Sequence, residues 1–307
     1  MTNPAPYDLT DLARPSGGFA MLAVDQREAL RLMLAGAAGP APDGTTPDDV
    51  LRRVDDATLT EFKLAATRAL TPHASGVLLD KQFVFDAAVD TGAVAPDCGL
   101  IAAADRFVPG DGEAVTDSVL DETVDPHTVR AQGAVAMKLL VVWRPDEDTR
   151  RRVAMVERFV ARCRAAGLVS IIEPVSKAPR RGGDWDWNAG VHAAADELGG
   201  LGADLYKSEV PLHGRADTDV LHRECTRLGA RIASPWVVLS SGVDADEFPR
   251  AVEIACAAGA SGFLAGRAVW RTCVGAENLA DALEADAVPR LRRLAELVDR
   301  AVTAPTH

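Results

Sequence analysis

The sequence predicts an α/β fold, a single (β/α)8 TIM barrel, and three observations predict it. Eight short apolar runs recur along the chain, helical patterns lie between them, and the chemically versatile residues gather where the runs end. The runs span 18–25 (GFAMLAVD), 76–80 (GVLLD), 99–105 (GLIAAAD) and 134–142 (AVAMKLLVV), then 168–175 (LVSIIEPV), 203–210 (ADLYKSEV), 236–243 (WVVLSSGV) and 262–269 (GFLAGRAV). They are apolar almost throughout, as strands covered on both faces must be. A doubly wound sheet is the competing fold, but no GxGxxG follows the first run.

Helix signals fill the gaps. Pro145-Asp146 opens a long helix that runs to 166 and stops at Gly167. A second covers 188–198 and stops at Gly199-Gly200, a third runs from 244 to 258 before Gly259, and 286–302 form a final amphipathic helix. We therefore expect residues 1–307 to form one barrel domain. Residues 1–16 would be an N-terminal extension. Residues 36–60, rich in Pro and Gly before turning helical, would be a loop-and-helix insertion.

Composition excludes several classes of function. A net charge of −12 argues against nucleic acid or an anionic membrane as partner, while leaving room for a local cationic pocket. No run of 18 apolar residues exists, and the first residues lack the apolar core of a signal peptide, so a cytoplasmic protein is expected. The five cysteines, at 98, 163, 225, 256 and 273, form no CxxC pair and read as small buried apolar side chains. The six histidines do not cluster at strand ends, which argues against a catalytic metal; neither metal nor cofactor is expected. No GxSxG elbow is present.

Lysine usage carries the strongest chemical signal. Of 33 cationic side chains only five are lysine: Lys63, Lys81, Lys138, Lys177 and Lys207. Arginine replaces lysine as a surface charge but not as an amine nucleophile, because guanidinium stays protonated. Lys138 and Lys207 lie inside strand runs, in AVAMKLLVVW and GADLYKSEVP. Two ammoniums near one another at a barrel mouth would lower one pKa and yield a neutral amine able to form a Schiff base with a ketone. The competing reading is that each lysine pairs with Glu173 or Glu209. Glu173, on the run between them, is placed to move a proton to and from a substrate hydroxyl, or to pair with Lys138.

Other strand ends fill out the site. Asp25, Gln26 and Arg27 close the first run and could orient substrate hydroxyls, with helix capping by Asp25 as the alternative. The last two runs end in Ser240-Ser241-Gly242 and Gly266-Arg267, where loops of this fold commonly hold phosphate; plain tight turns are the alternative.

Taken together, GGFAMLAVDQREALRLML, VAMKLLVVWRPDED, SIIEPV, GADLYKSEVPL, PWVVLSSGVD and AGASGFLAGRAVW closely resemble the class I aldolase family that contains tagatose-bisphosphate aldolase. The resemblance covers residues 17 to 300 and is closest to the sulfofructose-phosphate aldolase branch, through LLDKQF, KLLVVWRPDED and the short segment after EPV. It implies a TIM barrel, a metal-independent Schiff-base mechanism and a homo-oligomer. By this match Lys207 is the Schiff-base lysine, Glu173 the acid/base and Lys138 its companion. Asp25, Gln26, Ser241, Gly242, Gly266 and Arg267 would hold the dihydroxyacetone phosphate half of a small sugar phosphate. Arg27, Lys81, Arg180 and Arg181 are candidates for a sulfonate at the other end. The implied reaction cleaves 6-deoxy-6-sulfofructose 1-phosphate to dihydroxyacetone phosphate and 3-sulfolactaldehyde. The alternatives are tagatose or fructose 1,6-bisphosphate as substrate, or a sugar-phosphate-sensing regulator on the same barrel.

Overall fold

Eight parallel strands close into a barrel in the computed structural model, which describes residues 5–39, 47–110 and 113–303. The described residues hold ten strands: β1 (Phe19–Ala23), β2 (Gly76–Leu79), β3 (Gly99–Ala103), β4 (Asp105–Gly110), β5 (Glu113–Leu120), β6 (Ala134–Trp143), β7 (Val169–Ser176), β8 (Leu205–Ser208), β9 (Trp236–Val238) and β10 (Gly262–Ala265). The barrel order is β1-β10-β9-β8-β7-β6-β3-β2, and β4 and β5 pair antiparallel outside it. Each of the eight predicted runs supplies one barrel strand.

Side-chain alternation sorts each strand into an inner and an outer set. Phe19, Met21, Leu78, Ile101, Ala136, Val169, Ile171, Leu205, Val237 and Leu264 pack together inside the barrel. Their neighbours Ile172, Tyr206, Val238 and Phe263 face outward and join the layer beneath the helices. Continuing the inner set by two residues, counting from Ala23 and Ala103 on β1 and β3, reaches Asp25, Asp105, Lys138, Glu173 and Lys207. The apolar floor therefore gives way to a charged layer at the C-terminal end, where barrels of this kind carry their sites.

The N-terminal segment closes the opposite end. A 3-10 turn over Leu9–Leu12 places fully buried Leu12 under the strands. A Cβ on Gly99 would meet Leu12 Cδ2 at 2.7 Å and the Asp11 carbonyl oxygen at 2.5 Å, so glycine is needed for this close approach. Residues 5–16 are thus a plug and not a peripheral extension.

The helices follow the predicted pattern with shifted starts. The helix Thr149–Ala166 begins after Asp148, whose carboxylate accepts the Arg150 amide, and ends at Gly167 with φ of 67°. The others are Trp187–Leu198, Phe248–Ala257 and the final Val288–Thr303. The expected insertion at 36–60 is different in kind. Residues 40–46 lie outside the described residues, and from 56 onward the segment is the helix Asp56–Leu70, which connects β1 to β2. It buries Leu59, Phe62, Ala66 and Leu70 against the barrel, a 3.6-residue spacing that marks a layer helix. All five cysteines are free and buried.

The β4–β5 hairpin is the main feature the sequence did not announce. Strand β6 runs on past the end of β3, and the hairpin covers its exposed length. Ser118 Oγ donates to the Leu140 carbonyl at 2.7 Å and accepts the Val142 amide at 3.2 Å. No described helix is long and apolar enough to cross a membrane.

Candidate active site

A cavity of about 650 Å³ opens at the C-terminal end of the barrel. Strand ends from around the ring line it: Asp25, Gln26 and Arg27 after β1, Glu173 on β7, Lys207 on β8, Ser241 and Gly242 after β9, and Gly266 and Arg267 after β10. Lys138 lies beneath, fully buried.

The charged layer has a defined wiring. Lys207 Nζ lies 2.8 Å from Glu173 Oε1, and Lys138 Nζ lies 3.0 Å from Glu173 Oε2, so one carboxylate bridges both amines. Lys138 also meets Asp25 Oδ2 at 2.7 Å and Asp105 Oδ2 at 2.9 Å. Burial works against the Lys138 charge, but Asp105, Asp25 and Glu173 together hold its pKa well above that of an ordinary lysine. Burial likewise opposes the Asp25 charge, and the cationic Lys138 and Lys207 outweigh it, keeping that carboxyl below the usual range. The expected pair of adjacent ammoniums, one driven neutral by the other, is therefore not what forms. Carboxylates stand between the lysines, and Lys138 is a fixed cation. Asp25 is turned to Lys138 and caps no helix; the cap position of Glu28–Ala37 is Arg27, without a side-chain bond.

The β9–β10 side of the mouth brings an arginine, a serine and two glycines together. Arg267 Nη2 donates to Ser241 Oγ at 2.6 Å. Gly242 has φ of 78°, and a Cβ there would meet His213 Nδ1 at 2.4 Å. A Cβ on Gly266 would meet the Ala23 carbonyl oxygen at 2.4 Å. Glycine at these two places lets backbone and arginine approach a ligand together. Burial, followed by nearby Arg271, lowers the Arg267 pKa, so a bound anion would be welcomed by its charge.

Four residues were expected at the opposite end, and one of them lines the cavity. Arg27 does so, but its Nη2 is tied to Asp105 Oδ1 at 3.0 Å and its guanidinium lies 4.2 Å from the Phe107 ring centroid. Lys81 turns away to Asp86 and to Gln132 Oε1 at 3.1 Å. Arg180 pairs with Glu147, and the Arg181 amide donates to Asp146 Oδ2 at 3.0 Å. None of Lys81, Arg180 and Arg181 lines the cavity: the Lys81 and Arg180 side chains pair with Asp86 and Glu147, and Arg181 is held through its backbone amide.

The wall there is formed instead by Phe107, Ser176, Lys177, Trp185, Trp187, Glu209 and His213. The Trp187 and His213 rings stack with centroids 3.6 Å apart. Leu212 and His213 both adopt left-handed φ, 55° and 52°, a strained backbone for two adjacent non-glycine residues. The two tryptophans in the polar stretch GGDWDW were a legible signal for this wall. The strained turn was not, since nothing in PLHG encodes it.

A lysine-carboxylate-lysine bridge in a pocket at the mouth of a TIM barrel is the arrangement of an enzyme site suited to amine and acid–base chemistry. Comparison with known proteins agrees: a model of the DeoC/LacD family aldolases matches residues 19–272, and the chain belongs to that family. Tagatose 1,6-diphosphate aldolase of Listeria monocytogenes (strain HCC23) is 27% identical over 292 residues, covering 85% of this chain and 80% of the relative. Tagatose 1,6-diphosphate aldolase 1 of Streptococcus pyogenes serotype M1 is 29% identical over 287 residues, covering 83% and 81%. Among solved structures, an archaeal fructose-1,6-bisphosphate aldolase with its catalytic lysine bound to a carbinolamine intermediate superposes with a TM-score of 0.61. It shows 17% identity over 95% of this chain and 98% of that one. The family makes this protein an aldolase similar in sequence to tagatose 1,6-diphosphate aldolases, and the fold is shared with the fructose-1,6-bisphosphate aldolase structure.

Proposed function

We propose that the protein is a metal-independent aldolase that works through a Schiff base on Lys207. The observation that carries this reading is the bridge in which Glu173 touches Lys207 at 2.8 Å and Lys138 at 3.0 Å inside the cavity. Lys207 Nζ gives a proton to Glu173 and attacks the C2 ketone. The carbinolamine loses water to form an iminium, which accepts the electron pair of the C3–C4 bond as it breaks. Glu173 takes the C4 hydroxyl proton in that step, and a proton then returns to C3 of the enamine. Hydrolysis of the iminium frees the ketone product and restores the amine. Lys138 keeps its charge throughout and fixes Glu173 in place, and its ammonium fills the space among three carboxylates. Ser241, Gly242, Gly266 and Arg267 hold the C1 phosphate. Asp25 and Gln26 meet the adjoining hydroxyls, Gln26 Oε1 being a buried acceptor with no hydrogen-bond partner among the described residues.

The substrate we propose is 6-deoxy-6-sulfofructose 1-phosphate, cleaved to dihydroxyacetone phosphate and 3-sulfolactaldehyde. A sulfonate carries one negative charge and has no proton to give, so it asks for donors more than for a cluster of cations. The far wall has that character: Ser176, Trp185, Trp187 and Lys177 line it, while Arg27 is already neutralised by Asp105. A C6 phosphate, with nearly twice the charge, would find less compensation there.

Borohydride added with dihydroxyacetone phosphate is expected to leave a reduced adduct on Lys207, identified by peptide mass spectrometry. An adduct on another lysine, or none, overturns the assignment. Comparison of kcat/KM for the sulfosugar phosphate with those for tagatose and fructose 1,6-bisphosphates decides the substrate. The sulfosugar should lead by about tenfold or more, and a lead for either bisphosphate would assign the protein to that activity. Glu173→Gln should lower turnover by about 10²-fold or more while some adduct still forms. A near-normal rate would leave Glu173 a structural residue only.

A further inference from the structure

Glu209 stands in the cavity wall with no part in the chemistry above. It follows β8 on the strand's inward face, two residues beyond Lys207 and so one step nearer the mouth. The side chain is buried, with 7% exposure. Its Oε2 accepts the Ser176 amide at 2.7 Å. Among the described residues no Lys, Arg or His lies within ion-pair distance of it, whereas Glu173 is held between two lysines. A buried carboxyl whose donors are neutral and which has no cation in contact favours its protonated form. Burial pushes Glu209 up to about 8, against the Ser176 amide and with help from the negative Glu173, while the Trp187 side chain and Lys177 pull the other way. A protonated carboxyl has one O–H to donate.

The position selects what receives it. The C1 phosphate cradle lies after β9 and β10, on one side of β8, and Ser176 and Trp187 lie on the other, after β7. A ketose fixed through C2 to Lys207 and through its phosphate to Arg267 sends its C4–C6 half toward Ser176 and Trp187, past Glu209. In that half the C4 hydroxyl is handled by Glu173, which leaves C5. We propose that Glu209 is a neutral carboxylic acid that donates a hydrogen bond to the substrate C5 hydroxyl and so selects the configuration at C5. This rests on the Schiff-base reading of Lys207. The titratable groups around Glu209 are Glu173 and Lys177 from β7 and its loop, Lys207 on β8, and His213 from the turn that follows. Tyr206 on β8 also feels the Glu209 charge.

The test compares pH profiles of kcat/KM for wild type and Glu209→Gln, together with borohydride trapping of dihydroxyacetone phosphate. Wild type should lose kcat/KM above pH 8, approaching about tenfold per unit, as Glu209 ionises. Glutamine cannot ionise but keeps an N–H donor, so the variant should lack this fall up to pH 9.5, with kcat/KM at pH 7 reduced about tenfold. Dihydroxyacetone phosphate has no C5, so both proteins should form the Lys207 adduct, which also verifies that the variant is folded. In unaltered enzyme, discrimination between C5 epimers should shrink at least about threefold from pH 7 to pH 9.5. The same alkaline fall in the variant, no fall in wild type, or pH-independent epimer discrimination overturns the role of Glu209 while the adducts still form. Absence of adduct in wild type overturns the Schiff-base reading, and this proposal with it.

Discussion

Lys207→Met is expected to abolish turnover, by roughly 10⁴-fold or more, the scale of losing a covalent nucleophile, and to remove the borohydride-stable adduct. Methionine keeps most of the volume of this buried side chain, which is 3% exposed, so the apolar floor of Leu205 and Ile171 stays packed. Glu173 retains its contact with Lys138 and is not left as an isolated buried charge. The variant should therefore unfold in urea near the wild-type midpoint. That separates a missing amine from a damaged barrel. Turnover within about 10²-fold of wild type would transfer the nucleophile elsewhere.

Lys138→Met should act on stability and activity together. Its ammonium neutralises Asp25, Asp105 and Glu173 at once. Removing one partner of a buried ion cluster costs about 3–5 kcal/mol, readable from urea unfolding at pH 8. The pH dependence gives a second reading. The folded pKa of Asp25 lies below its unfolded value of 3.8, so its contribution is present above that value and disappears as pH falls through the folded pKa. The folded pKa of Lys138 lies above 10.5, so its contribution is complete below that value and disappears as pH rises through the folded pKa. Wild type holds both between these limits. In Lys138→Met the crowded carboxylates lose their cation and bind a proton more readily, so the stability deficit should narrow from pH 8 to pH 5. A deficit that is the same at both pH values would mean lost packing and not lost charge.

Particular residues show how far the sequence could be read. Lys138, Glu173 and Lys207 were legible because strand alternation is local: each continues an inner apolar series by two residues, so all three had to meet at one end of a closed barrel. Their pairing was less so. Asp105 was visible as a strand end, yet its capture of both Lys138 and Arg27 depends on contacts across 33 and 78 residues of chain. Lys81, Arg180 and Arg181 sit at the correct end of the barrel in sequence, but long flexible side chains choose among partners only once loops are placed. The strands β4 and β5 escaped notice because EAVTDSVL is half polar, the pattern of a ribbon covered on one face and not of a barrel strand. The plug was missed for a related reason. Only Leu12 of the segment is fully buried, with Tyr7, Leu9 and Ala13 partly covered beside it, and so few apolar residues in a short turn show no periodicity.

The β4–β5 hairpin carries a consequence for how such an enzyme changes over generations. It contributes Phe107 and Val115 to the cavity wall, yet belongs to none of the eight strands whose register closes the ring. Ser118 hooks it onto main-chain atoms of Leu140 and Val142, indifferent to their side chains, and Asp105 at its first position ties it to Lys138 and Arg27. Phe107 and Val115 touch neither Lys138 nor Lys207 in any contact described above, so both can be exchanged while Asp105 and the strand order stay as they are. Selection, or a designer, can therefore recut this part of the cavity wall while the lysine-carboxylate layer is inherited intact.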